Sequence, residues 1–156
     1  MTLLAGCRGT LHQAFAFEPV ERRLEGGGTI SLVARGASTS IDSAGMLIER
    51  TKSPYWVGVY VTPASMGAVR VKEVRFVSVE SRRATVPAVP ATEVSSDGET
   101  RFVQLAALEL PFEDHAVHVS LEDGAGGRTR TDSVRLYLRK HVAERRVSFW
   151  EWLTHL

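Results

Sequence analysis

Cysteine is almost missing from this chain. One is present in 156 residues, Cys7. A lone thiol can neither close an internal disulfide nor furnish a multi-cysteine zinc site. Asparagine is absent, which removes every Asn-x-Ser/Thr glycosylation acceptor. Lysine is scarce: Lys52, Lys72 and Lys140 stand alone, and arginine supplies the rest of the positive charge. Both biases read as base-composition pressure on the gene, not as chemistry. A basic excess is lacking too. Lys and Arg number 19 against 18 Asp and Glu, a net charge of +1, so nucleic acid is not an expected partner. No apolar run reaches the ~18 residues of a transmembrane helix.

Catalytic signatures are also wanting. There is no Gly-x-Ser-x-Gly elbow and no His-Glu-x-x-His. His115 and His118 lie three apart on an expected strand and so point to opposite faces, which excludes joint ligation from a regular strand. His12, His141 and His155 are scattered, and no metal or other cofactor is expected. Gly26-Gly27-Gly28 and the glycines at 124–127 lack the helix and Lys-Ser/Thr of a phosphate cradle; they read as hairpin loops. Glu113-Asp114 and Glu122-Asp123 sit beside turn signals, where adjacent acids are usually solvated. The expectation is a protein that is not an enzyme. An enzyme whose site assembles from dispersed residues stays as a remote alternative.

What the chain does have is period-two alternation. "WVGVYV" sets Val57, Val59 and Val61 on one face against Trp56, Gly58 and Tyr60. "AVHVSLE" does so with Val117, Val119 and Leu121, and "SVRLYLRK" with Val134, Leu136 and Leu138. Such alternation marks strands buried on one face. In "VRVKEVRFVSVE" the phase slips between Val71 and Val74, and a β-bulge near Lys72-Glu73 restores it. "EGGG" at 25–28, Asp97-Gly98 and "EDGAGGR" at 122–128 are turn signals; Asp-Gly favours hairpins because the turn needs positive φ. Pro63, Pro87 and Pro90 mark further loops. Strand spacing of 8–12 residues predicts an all-β fold. The expected form is an antiparallel β-sandwich, immunoglobulin-like or transthyretin-like, of about eight or nine short strands.

Charge is segregated. Acids crowd residues 93–123 and bases crowd residues 128–146. Pairing across the solvent face of neighbouring strands is one reading; complementary patches for a partner are the other. Tyr55, Trp56 and Tyr60 form an aromatic cluster. It suits a carbohydrate platform, although aromatic residues on strands more often serve the core. The C-terminus changes character. Ser148 and Glu151 form a capping box, with Val147 placed to staple against Trp152, so a short helix is expected from Phe149. Phe149, Trp150 and Trp152 load it with apolar surface. It either plugs one end of the core or offers these three residues to a partner.

One signal remains, at Leu4-Ala5-Gly6-Cys7. This tetrapeptide resembles the lipobox of bacterial lipoproteins: an aliphatic residue, two small residues and cysteine. The resemblance implies a lipid attached to Cys7 and cleavage before it. Residues 1–7 would be the remnant of a signal ending at the lipidated cysteine, and residues 8–156 a single domain. Arg8, where aspartate would imply inner-membrane retention, implies the periplasmic side of the outer membrane. Acyl chains contribute about 0.8 kcal/mol per buried methylene, so two or more hold firmly. Only Met1-Thr2-Leu3 precede the motif, so this reading requires an upstream start supplying a basic and apolar signal. The expected function is a non-catalytic lipoprotein of the bacterial cell envelope. It would be tethered to the membrane through Cys7 and bind or support a protein partner, as in a secretion or envelope assembly. If Met1 is the true start, the chain is instead a cytoplasmic β-rich interaction domain.

Overall fold

A computed structural model describes residues 10–43, 46–63, 69–123 and 130–147. Its strands, in chain order, are β1 (Thr10–Phe17), β2 (Val20–Arg23), β3 (Gly28–Ser43), β4 (Met46–Pro63), β5 (Val69–Ser78) and β6 (Ala84–Thr85). They continue with β7 (Glu93–Val94), β8 (Arg101–Leu108), β9 (His115–Asp123), β10 (Arg130–Leu138) and β11 (Lys140–Val147). No helix occurs among the described residues. The helix expected from Phe149 lies outside them.

The strands form two sheets. The first has the order β11-β1-β4-β3-β2, with β8 also on β4 and β7 on β8; the second has the order β10-β9-β5-β6. β4 is the spine of the first sheet. β3 follows one of its edges throughout. Its other edge is shared, by β1 against residues 46–50 and by β8 against residues 55–61.

The alternation read from the sequence sets the core. Val57, Val59 and Val61 of β4 are buried, with Ile30 and Leu32 of β3 and Val103 and Leu105 of β8. The second sheet adds Val71, Val74 and Phe76 of β5, Val117, Val119 and Leu121 of β9, and Leu136 and Leu138 of β10. All belong to one contiguous apolar cluster. Full burial of each such side chain is worth about 1.5–3 kcal/mol, so this cluster holds the two sheets together. The phase slip of β5 also appears, as a register shift against β9 between Val71 and Glu73. The Asp97-Gly98 turn joins β7 to β8, with Gly98 at φ 77°. Ser95 N–H donates to the Thr100 carbonyl at 2.9 Å to close it.

Two expectations need correction. The strands are not uniformly short, for β3 runs 16 residues and β4 runs 18. They continue because the β3–β4 ladder absorbs an irregularity instead of ending: Gly36 pairs Tyr55 and Ala37 pairs Lys52, which leaves Ser53-Pro54 unopposed. Pro54 lacks an N–H and sits where no partner carbonyl needs one. The pairing is also not wholly antiparallel. β1 lies parallel to β4, from Leu11↔Met46 to Phe15↔Arg50. The β2–β3–β4 meander returns β4 in the direction of β1, so the two can only pair parallel.

The irregularity depends on Gly36. A Cβ there would lie 2.6 Å from the Lys52 carbonyl oxygen and 2.7 Å from the Tyr55 ring. The first neighbour is backbone of a paired strand and has no room to retreat. Gly36→Ala is therefore expected to cost about 1–3 kcal/mol, the range for overpacking, read as a lower urea midpoint. Gly26→Ala, with nothing within 4 Å of the added carbon, should leave the midpoint unchanged or raise it.

Candidate functional site

The site begins where a ladder divides. β1 and β11 pair antiparallel from Thr10↔Val147 to Phe17↔Lys140. One rung follows, the Glu18 N–H donating to the Arg139 carbonyl at 2.9 Å. Pro19 comes next. Its ring holds φ near about −65°, away from the roughly −140° of an antiparallel strand, and turns the chain out of the ladder. β2 then joins the first sheet and β10 the second. Continued unbroken, the register would have set Arg22 opposite Arg135. The two strands instead stand apart as the edges of different sheets.

A recess of about 370 Å³ lies along this seam. Arg22 spans it, its Nη1 donating to the Arg135 carbonyl oxygen at 2.7 Å. Arg139 and Arg135 thus both accept from the seam side through their carbonyls. Backbone groups alternate in direction along a strand, so Tyr137 between them also turns its N–H and C=O to the seam. The side chains follow the same period. Arg135, Tyr137 and Arg139 are exposed on the outer face, while Leu136 and Leu138 enter the core. The Arg135 guanidinium lies over the Tyr137 ring, 4.9 Å from its centroid. Its cross-strand neighbour on β9 is His118, not a carboxylate.

Below the fork is a polar junction. Ser78 is buried and donates its hydroxyl to Glu113. Ser81 donates to the same carboxylate through its hydroxyl at 2.8 Å and its N–H at 3.3 Å. The hydrogen bonds from Ser78 and Ser81 hold Glu113 below the usual carboxylate range. Asp114 accepts from the Lys140 N–H at 2.8 Å, and Lys140 Nζ pairs with Glu80. His115 is 2% exposed, with Nδ1 unpartnered, edge-on to Phe17 and Phe76. Burial pushes its pKa down; the Glu113 backbone and the nearby carboxylates oppose this less strongly. The junction looks superficially like a Ser-Glu-His relay. Its Ser78 hydroxyl is buried, and its Glu113 carboxylate already accepts from Ser78 and Ser81.

Of the residues singled out in the sequence, Leu4, Ala5, Gly6, Cys7, Phe149, Trp150 and Trp152 lie outside the described residues. The aromatic cluster is divided. Tyr55 is buried at the irregularity, against Phe17. Tyr60 lies across Gly58, where a Cβ would meet its ring at 2.6 Å, and stacks with Phe102 at 6.0 Å. Trp56 stands 51% exposed. His115 and His118 do face opposite sides of β9. Among the described residues, no group of three His, Cys, Asp or Glu side chains converges as a metal site. The seam itself escaped sequence reasoning. Its only local signal was Pro19 between two extended stretches. Comparison with family models, with curated proteins and with solved structures finds no match for this chain.

The junction makes stability depend on pH, with a definite sign. His115 binds its proton more weakly when folded than at its ordinary value of 6.5. The unfolded chain therefore takes up more protons as pH falls below that value, and stability declines toward the lower folded pKa. Glu113 acts in the same direction at lower pH: its contribution is present above the ordinary carboxylate value and lost as pH falls through its depressed one. The urea midpoint should therefore drop between pH 7 and pH 5. In His115→Met that first drop should vanish while the later, Glu113-linked loss persists.

Proposed function

We propose that this chain is a non-catalytic binding module of the bacterial cell envelope, held to the membrane by lipid on Cys7. Its architecture in this reading is a β-sandwich. The inner faces of two sheets sharing one apolar cluster support that form. The observation that carries the binding role is the seam. Two sheet edges run side by side with a cation-rich recess between them, and a backbone edge left unpaired is a template for another chain.

The tether and the seam fit one another. Cys7 stands three positions before Thr10, so a lipid there would keep the start of β1 within ~10 Å of the bilayer. β1 then runs eight residues to Phe17, about 26 Å at strand rise, and the seam opens at that far end. A partner would meet it away from the headgroups. The cytoplasmic reading keeps the seam and drops the tether.

Detergent phase partitioning of the protein expressed with its own upstream DNA tests the tether. The wild type should enter the detergent phase and incorporate labelled palmitate, and Cys7→Ser should do neither. A Cys7→Ser chain that still partitions with membranes overturns the anchoring.

A further inference from the structure

We infer that the occupant of the β2/β10 seam is an extended acidic peptide, which adds as a strand to the free edge of β10. The inference rests on the reading of the chain as a binding module and names the partner chemistry. Three observations carry it.

The first is the backbone. β10 ends its sheet, and no strand among the described residues pairs with its outer edge. Tyr137 presents a donor and an acceptor there, between an Arg139 carbonyl met by Glu18 and an Arg135 carbonyl met by the Arg22 side chain. Arg22 thus occupies a rung that a strand would otherwise make. A peptide displaces one guanidinium and gains a ladder.

The second is side-chain period. Arg135 and Tyr137 of β10 and Arg139 just past its end recur every second residue and are exposed, and Leu136 alternates with them on the buried face. A paired strand sets its own alternate residues beside these. Carboxylates opposite Arg135 and Tyr137 then lie beside Arg135 and diagonal to Arg139, which keeps Glu18 as its direct neighbour, and the displaced Arg22 adds a third cation. Apolar residues fall on the side of Val20 and Leu136, which line the recess.

The third is sign. The carboxylates at the recess are Glu18 and Glu21, and Glu18 already lies 3.0 Å from His141. A second copy of this chain is a poor occupant. Antiparallel pairing of β10 with itself about Arg135 puts two guanidiniums opposite, and like charges directly opposite are destabilising.

The probe is a capped nonapeptide alternating Glu and Val, compared with the same peptide alternating Lys and Val. Binding is read by calorimetry and by amide shifts of the labelled full chain. The Glu-Val peptide should bind and move the Tyr137 and Ser133 amides, while the Lys-Val peptide should bind at least about tenfold more weakly. Arg135→Glu with Arg139→Glu should invert that preference. Tyr137→Pro, which removes the edge N–H, should abolish binding, whereas Tyr137→Ala should keep most of it. Should Tyr137→Pro fail to fold, the charge-inverted pair still decides. Equal binding of both peptides, binding that leaves β10 amides unmoved, no binding, or dimerisation through β10 each overturn the inference. None of these touches the tether: loss of detergent partitioning with intact peptide binding would sink only the anchoring, and the reverse only the acidic strand.

Discussion

The hydrogen bond from the Glu18 N–H to the Arg139 carbonyl is the last rung of a ladder that then splits. Everything else in this fold is arranged around that split. The connection from β1 to β2 has two residues and the one from β10 to β11 has a single residue. Neither can wander, so the two sheets must start within a rung's distance of each other and diverge. Divergence opens room for the inward side chains of both sheets. Phe17, at the end of the joint ladder, fills the crotch against Tyr55 and Phe112.

From that constraint the rest follows mechanically. One sheet must curve to leave the other, and β3 and β4 do so at Gly36, where the absence of a side chain lets Tyr55 and the Lys52 carbonyl close in. The second sheet makes its own adjustment at the bulge after Val71. The bond lines that would have joined β2 to β10 are left over. A guanidinium covers one carbonyl, and the polar junction joins Ser78 to Glu113 and Asp114 to Lys140. His115 is caught between that junction and the aromatic core. Its burial pushes its pKa down, which couples the fork's stability to protons.

The seam is therefore a by-product of the topology. An edge strand is a hazard for any protein, and short edges, charges and covering side chains are the usual protection. Here β2 has four residues, β10 carries Arg135 on its exposed face, and Arg22 lies across the gap. In the proposed reading, the same features that discourage self-pairing would favour a partner of opposite charge.

The sequence by itself determined the all-β class, the inward faces of β4, β9 and β10, the bulge in β5, the hairpin at Gly98 and the opposite facing of His115 and His118. Each depends on neighbours within a few residues: alternation follows from the pleat, and turn chemistry from local φ. Only the tertiary structure decided the lengths of β3 and β4, the parallel pairing of β1, the division of the Tyr55–Trp56–Tyr60 cluster, and the seam. Those depend on which distant segment arrives alongside. Leu136 alternates visibly in the sequence, but that Arg22 reaches its neighbour Arg135 across 113 positions is written in no local pattern. It arises because Pro19 turns the chain while the β1–β11 ladder holds both strands in register.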